Sequence, residues 1–258
     1  MHRQDYKYIY GPVFSWRLGS SLGIDPISDR DKICSFDCVY CQLGKTTKFS
    51  DTRKKYIAEK EVIAEINSLP TVKIDYITFS GRGEPTLAKN LGKMIKQIKK
   101  SRKEKIAVIT NSSLLGNDDV IKDLSETDFV IAKFDAFDQR SLSGINRPMP
   151  VIKFDSIIKG IKKFKSRYPN KFALQIMFIK DNIKYADEIA HLAREINPNE
   201  VQINTPLRQC AVKPLSKNEL NNIKKYFNGL NVISVYDIRK KTIRPISSKN
   251  TLKRRGKT

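Results

Sequence analysis

Short apolar runs alternate with amphipathic segments along most of the chain. Runs rich in Val, Ile, Phe and Tyr, which favour strands, predict strands at residues 75–80, 105–110, 128–133, 172–179 and 200–205. Apolar residues three and four positions apart predict helices at residues 57–68, 88–101, 117–125, 151–167, 184–196 and 216–228. An earlier strand is predicted at 21–27 and a last edge strand at 231–237.

This regular order of strand and helix is typical of a parallel sheet with right-handed crossover connections. About six such units predict an α/β fold, a partial (β/α)6 TIM-like barrel, and the 258 residues are ordinary for one barrel domain. We assign residues 1–235 to this domain, with an N-terminal extension at 1–27. From Ile238 onward the chain has nine basic residues and no acidic one, so residues 236–258 are expected to form a basic, mobile tail.

Polar residues and glycine follow each predicted strand. Because the carboxyl ends of parallel strands carry the reactive groups of such folds, we expect these segments to face one mouth. The segments are 31–44, 80–87, 110–115, 133–138, 179–182 and 204–210.

The first of these segments, DKICSFDCVYCQLG, contains three of the four cysteines of the chain. No apolar run could span a bilayer and the first residues do not resemble a signal peptide, so we expect a cytoplasmic protein that has no membrane partner. Thiols stay reduced there, and clustered cysteines then indicate metal binding or catalysis more often than disulfides. A structural zinc site takes four ligands, usually in two pairs. Three thiolates suit an iron–sulfur cluster better, with one iron left without a protein ligand.

Two motifs resemble the radical S-adenosylmethionine (SAM) superfamily. CSFDCVYC has its C-x3-C-x2-C spacing, and Arg82-Gly83-Glu84-Pro85 is similar to its Gly-Gly-Glu-Pro segment, with arginine in place of the first glycine. Residues 11–26 and the segments FSGRGEPTL and QINTPLR also resemble a clade of radical SAM iron–sulfur oxidoreductases. That clade is placed near the wybutosine-synthesis enzymes, which remodel a tRNA guanosine.

The resemblance implies that Cys34, Cys38 and Cys41 ligate a [4Fe–4S] cluster and that SAM chelates the fourth iron. A low-potential donor, flavodoxin or ferredoxin, would supply an electron. SAM would then be cleaved to a 5′-deoxyadenosyl radical, which abstracts a substrate hydrogen. From the residues alone, a zinc knuckle or free thiols stay open.

Further residues are expected to hold SAM. Tyr40 would lie beside the adenine, Gly83 and Glu84 would meet the SAM amine, and Pro85 would fix the exit from their turn. The other candidates are polar residues at strand ends or on the last strand of the barrel, where they could equally be caps, surface ion pairs or core amides: Asn111, Ser113, Lys133, Asp135, Gln202 and Asn204.

Three residues are candidates for the reaction itself. Arg82 and Arg208 lie at the predicted mouth, where a guanidinium can bind an anionic substrate. Cys210 is a candidate hydrogen donor or thiyl site, although a lone cysteine is more often a small buried apolar residue.

The net charge of +22 suits a polyanionic partner such as RNA and suits a lysine-rich surface equally well. The densest basic runs, 96–105 and 162–171, lie at predicted helix C-termini, on the face opposite the mouth. We place RNA, in particular tRNA, slightly ahead of a small metabolite or peptide as substrate. A non-enzymatic, zinc-binding RNA adaptor is the third hypothesis.

Overall fold

A computed structural model describes residues 6–255 of the protein. Within this range the chain forms ten strands and eight α-helices. The strands are β1 Ile9–Ser15, β2 Gly19–Ile24, β3 Ile33–Cys34, β4 Lys48–Phe49, β5 Tyr76–Phe79, β6 Lys105–Thr110, β7 Phe129–Lys133, β8 Lys171–Met177, β9 Glu200–Asn204 and β10 Val232–Ser234. The helices are α1 Glu59–Asn67, α2 Leu91–Ser101, α3 Asp118–Leu124, α4 Gln139–Ile145, α5 Phe154–Arg167, α6 Ala186–Ile196, α7 Lys217–Lys224 and α8 Ser248–Arg255. No helix in this range has the length and apolar character needed to cross a bilayer.

Eight strands form one sheet, in the order β1-β2-β5-β6-β7-β8-β9-β10. β1 is antiparallel to β2, whereas every other neighbouring pair is parallel. β3 and β4 form a separate pair. Because β1 and β10 are the two unpaired edges, the curled sheet is a partial barrel, and β2 with β5 to β9 correspond to the six predicted strands. The predicted partial (β/α)6 TIM-like barrel is confirmed.

The two sides of the sheet have different surroundings, since successive strand residues point to opposite sides. One side, which includes Ile77 and Val108, packs with the buried faces of the helices in a large apolar core. The inner side holds a smaller apolar cluster around Phe129, closed by Leu18 from the turn between β1 and β2. Buried polar side chains such as Gln202 share this inner side, so the barrel interior can bind a polar ligand.

Five elements were not predicted: β1, β3, β4, α4 and α8, of which β3 and β4 have only two residues each. β1 contains a proline, which is tolerated because β1 is an edge strand with a register shift between Tyr10 and Val13. α4 is short and serine-rich, and a capping box between Asp138 and Ser141 stabilises its start. α8 is basic and lacks a broad apolar stripe, so the sequence pattern resembled a tail.

The C-terminal segment packs on the barrel over residues 246–255. The Ile246 N–H donates to the Gly11 carbonyl at 2.7 Å, and the Gly11 N–H donates to Thr251 Oγ1 at 3.0 Å. Arg254 is buried and its Nε lies 3.9 Å from Asp25 Oδ2. The structure therefore corrects the expectation of a mobile tail for these residues. Residues 256–258 lie outside the described range, and the domain boundary at 235 stays a prediction.

The cysteine segment is held against the end of β5 by its backbone. The Glu84 N–H donates to the Ile33 carbonyl at 3.1 Å, and the Ile33 N–H donates to the Arg82 carbonyl at 3.4 Å. Gly83 has a φ of +148°, and a Cβ on it would lie 1.9 Å from the Ile33 carbonyl oxygen. Only glycine fits this close approach, which places Cys34 over the strand ends.

Replacing Gly83 by alanine should therefore destabilise the protein. We expect the Gly83→Ala variant to lose roughly 3 kcal/mol of unfolding free energy, because the new methyl group meets backbone that cannot move freely. Urea unfolding followed by circular dichroism measures it. Gly144→Ala is the control, since a Cβ there meets no atom within 4 Å and alanine favours a helix. Equal stabilities of the two variants would contradict the close contact.

Candidate active site

Each of the three clustered cysteine sulfurs faces a side-chain N–H donor. These contacts are Asn111 Nδ2 to Cys34 Sγ at 3.5 Å, Asn146 Nδ2 to Cys38 Sγ at 3.4 Å, and Lys32 Nζ to Cys41 Sγ at 3.0 Å. The donors come from three separate parts of the chain, at the end of β6, at the end of α4 and just before β3. Such donors stabilise negative charge on sulfur.

The environment of these sulfurs disfavours an uncompensated thiolate. Burial, with a smaller contribution from the nearby Glu84, raises the pKa of the Cys34 thiol to about 12. Burial, with a contribution from Asp135, raises the pKa of Cys38 to about 11. Binding of a cationic metal group at these sulfurs would therefore displace protons from Cys34 and Cys38.

The three cysteines do not form a single-ion site in the part of the chain that the structure describes. Within residues 6–255, no three His, Cys, Asp or Glu side chains converge on a point that could hold one metal ion. A tetrahedral zinc would bring its sulfurs to roughly 3.8 Å from one another, given zinc–sulfur bonds of ~2.3 Å. In a four-iron cluster each cysteine binds a different iron, so the sulfurs stand further apart.

Glu84 is buried and joins the end of β5 to the end of β6. Burial raises the pKa of Glu84, while its hydrogen bonds lower it. Its Oε1 accepts three hydrogen bonds, from the Thr86 N–H at 3.1 Å, the Thr86 hydroxyl at 2.6 Å and the Thr110 hydroxyl at 2.6 Å. Its Oε2 accepts one, from the Asn111 N–H at 2.6 Å. One lone pair of Oε2 remains for a ligand N–H. Pro85 follows at the start of a buried 3-10 turn.

Asn111 and Ser113, both expected to hold SAM, bind the cysteine segment instead of pointing away from it. Asn111 Nδ2 donates to Ser35 Oγ at 2.8 Å, and the hydroxyls of Ser113 and Ser35 are 2.8 Å apart. Ser35 is fully buried between Cys34 and Phe36. These two side chains therefore fix the cysteine segment on the end of β6, and a contact with SAM stays a prediction.

Tyr40 and Asp135 form one buried hydrogen-bond network. The Tyr40 hydroxyl donates to the Asp135 carboxylate, and Asn146 Nδ2 donates to Asp135 Oδ2 at 2.8 Å. The Met177 N–H donates to Asp135 Oδ1 at 2.7 Å. Burial, together with the charge of Asp135, raises the pKa of Tyr40 well above its usual range. Asp135 thus positions Tyr40 beside the cysteines, and most of its acceptor capacity is used within the protein.

The Lys133 ammonium has N–H donors left for a ligand. Its Nζ lies 3.0 Å from Asp135 Oδ1 and 4.9 Å from the centroid of the Tyr40 ring. The ammonium is buried and makes no directed hydrogen bond to any described residue. Of the two residues predicted at this strand end, Lys133 is therefore better placed to bind an anionic group of a ligand.

The amides of β9 point to the inner side of the sheet, since Val201 and Ile203 beside them pack in the helix-facing core. Gln202 Nε2 donates to Glu200 Oε1 at 2.7 Å, but Gln202 Oε1 is buried and has no partner among the described residues. Asn204 Oδ1 accepts from the Thr205 N–H at 2.9 Å. A buried amide oxygen normally accepts a hydrogen bond, so Gln202 can receive one from a ligand.

The three residues predicted for the reaction differ in their surroundings. The Arg82 guanidinium is half-buried and makes no hydrogen bond or ion pair within residues 6–255. Arg208 Nη1 donates to the Arg255 carbonyl. Cys210 is half-buried and its thiol donates to the Val212 carbonyl at 3.2 Å.

Sequence reasoning missed four residues of the mouth: Asp25, Lys32, Asn146 and Arg254. Asp25 directly follows β2 and accepts hydrogen bonds from the Ser28 and Arg82 N–H groups. Its position after a strand was a usable signal. The other three residues gave no signal in the sequence. Asn146 and Arg254 lie at or in helices that were not predicted, and Lys32 resembles a surface lysine.

Comparison with known proteins gives the same assignment as the motifs. Residues 32–193 match the radical SAM superfamily. The chain is 39% identical over 213 residues to the UPF0026 protein slr1464 of Synechocystis. This alignment covers 82% of the chain and 79% of that protein. It is 35% identical over 259 residues to a GTPase Obg of Brachyspira hyodysenteriae. That alignment covers 95% of this chain but only 38% of the GTPase.

Among solved structures, SuiB of Streptococcus suis bound to S-adenosylmethionine has a TM-score of 0.63 and 14% sequence identity to this chain. The alignment covers 82% of this chain and 49% of SuiB, so the likeness is one of fold. Enzymes of the matched superfamily use a [4Fe–4S] cluster together with SAM. The family match spans more than half of the sequence. The resemblance read from the cysteine motif is confirmed, and the chain belongs to the radical SAM superfamily of enzymes.

Proposed function

We propose that the protein cleaves SAM reductively at a [4Fe–4S] cluster held by Cys34, Cys38 and Cys41, and that its substrate is RNA, in particular tRNA. The observation that carries the first part is the set of three sulfurs, each facing its own N–H donor from a different part of the chain. When bound, the cluster and SAM supply a 5′-deoxyadenosyl radical that abstracts a hydrogen atom from the substrate.

Different residues of the mouth would bind different groups of SAM. Lys133, whose buried ammonium is ion-paired with Asp135 but makes no directed hydrogen bond, suits the SAM carboxylate. The remaining lone pair of Glu84 Oε2 suits the amine. Gln202 Oε1 is free to accept a hydrogen bond from a hydroxyl or amino group within the barrel. Tyr40 is held by Asp135 and packs with Ile145, Met177 and Cys38, which gives the site an apolar wall on this side.

A basic segment on the side of the mouth supports RNA as substrate. Residues 238–244 leave the carboxyl end of β10, and Arg239, Lys240 and Lys241 are exposed. None of these three has an ion pair within residues 6–255. By contrast, charges on α5 are partly paired, as Lys162 is with Glu195 at 2.8 Å. Unpaired cations near the mouth can neutralise backbone phosphates.

The cysteine assignment is tested by anaerobic reconstitution with iron and sulfide, followed by reduction in the presence of SAM. We expect a cluster absorbance band and formation of 5′-deoxyadenosine. Cys34→Ala, Cys38→Ala and Cys41→Ala should each abolish SAM cleavage, because each removes one of only three protein ligands. Cys210→Ala is the matched control and should keep the cluster. A cluster lost from the Cys210 variant would mean that the ligand set is wrong.

Lys32 should raise the reduction potential of the cluster. Its ammonium lies 3.0 Å from Cys41 Sγ, where positive charge favours the more negative, reduced state. We therefore expect Lys32→Met to lower the potential by tens of millivolts in a titration followed by electron paramagnetic resonance. Lys45→Met, an exposed change in the same segment, should leave it unchanged. A potential that rises in the Lys32 variant would contradict this role.

RNA binding is tested by gel shift with bulk tRNA at several salt concentrations. Replacing Arg239, Lys240 and Lys241 together by glutamine should weaken binding and reduce the slope of log affinity against log salt by roughly 2–3. The control replaces three exposed lysines on the opposite face, Lys100, Lys103 and Lys105. Equal loss in the two triple variants, or no binding of tRNA at all, would reject RNA in favour of a metabolite or peptide.

A further inference from the structure

The turn between β1 and β2 carries an arginine whose donors are buried and unsatisfied. Arg17 Nε and Nη1 have no hydrogen-bond partner among the described residues. The guanidinium stacks on Trp16, with Cζ 4.6 Å from the ring centroid. A buried cation without partners is costly, whereas the same N–H groups are strong donors to an anion.

Two more arginines come to the same place from distant parts of the sequence. Arg208, after β9, donates through Nη1 to the Arg255 carbonyl. Arg255, at the end of α8, donates through Nη2 to the carbonyl of Phe14, three residues before Arg17, at 3.5 Å. These contacts join the post-β9 segment, α8 and the β1–β2 hairpin, and they place Arg208 and Arg255 near the turn that carries Arg17.

The charges in this cluster are unbalanced. Burial, and then the positive charges of Arg208 and Arg255, lower the pKa of Arg17 to about 9, with partial compensation from Glu200. Glu200 itself accepts from Lys171 Nζ at 2.8 Å and from Gln202. No carboxylate forms an ion pair with any of the three arginines in the part of the chain that the structure describes. The cluster therefore has a net positive charge that an anion would neutralise.

The segment that carries Arg208 packs beside the cysteine segment, because Val212 contacts the apolar cluster that includes Tyr40 and Cys38. Burial, followed by repulsion from Arg255, lowers the pKa of Arg208 to about 10, and the nearby Cys41 and Cys210 partly oppose this shift. Arg208 is thus close to the side of the mouth that carries Cys41. An anion held by these arginines would sit next to the site proposed for SAM.

We propose that Arg17, Arg208 and Arg255 form a subsite that binds a phosphate group of the substrate. Three guanidinium groups present more N–H donors than a carboxylate can use, whereas the oxygens of a phosphate can each accept from a different arginine. The subsite would anchor the substrate while the atom to be attacked lies at the mouth. Its role in catalysis rests on the proposed radical SAM function.

Trp16 is the single tryptophan of the chain, and its contact with Arg17 makes it a built-in probe. Inorganic phosphate added to the reconstituted protein at constant ionic strength should change the Trp16 fluorescence, and succinate should do so only at about tenfold higher concentration.

Arg17→Gln and Arg208→Gln should weaken phosphate binding by about tenfold or more, measured by calorimetry. Arg140→Gln, an exposed change on α4, is the control. Equal phosphate affinity in all variants, or tighter binding of succinate, would overturn the proposal.

Two further measurements separate this subsite from other roles. The melting temperature of Arg17→Gln should rise by about 2–4 °C, because an unpaired buried charge is removed, whereas loss of a structural contact would lower it. SAM should not compete with phosphate, and competition would mean that the arginines bind the SAM carboxylate, which would overturn the proposal. A wild-type protein that binds phosphate but does not cleave SAM would refute the proposed function and leave the phosphate subsite supported.

Discussion

The contact between Gly83 and the Ile33 carbonyl is the constraint on which the site depends. It brings the backbone after β5 against the backbone of β3 with no room for a side chain, and Cys34 follows one residue later. Glu84 then ties this junction to the end of β6 through Thr110 and the Asn111 backbone. The cysteine segment is therefore not a free loop that a cluster must organise. It is a preformed part of the barrel mouth, and preformed ligands lose less conformational freedom when they bind.

Three buried carboxylates, Asp25, Glu84 and Asp135, lie at the ends of β2, β5 and β7. Each accepts backbone N–H hydrogen bonds, which is how a buried charge is made tolerable. Burial, and then the nearby Glu84 and Asp135, raise the pKa of the Cys34 and Cys38 thiols. The mouth thus combines fixed negative charge with N–H donors aimed at sulfur. Such an arrangement favours a ligand that carries positive charge, as the sulfonium of SAM does.

The parts of the fold that follow a local pattern could be predicted from the sequence. Buried parallel strands show as short β-branched runs, and the cysteine spacing is contained in eight residues. The partners of those cysteines could not be predicted, because Asn146 is 108 residues from Cys38 and lies at the end of an unpredicted helix. Glu84 and Asp135 follow the ends of β5 and β7, a position that the sequence indicated. Their bonds to Thr110 and Tyr40 required three-dimensional coordinates.

The C-terminal helix shows why composition alone misleads here. Its basic residues suggested a solvated tail, yet Arg254 is buried next to Asp25, and Arg255 lies between Arg208 and the β1 backbone. Since β1 is the antiparallel edge of an open sheet, a helix packed on it covers an edge that would otherwise expose unpaired backbone groups. The same helix brings cations to the mouth. Closure of the sheet edge and positive charge beside the cysteine site thus come from one element, and a change that loosens α8 would alter both.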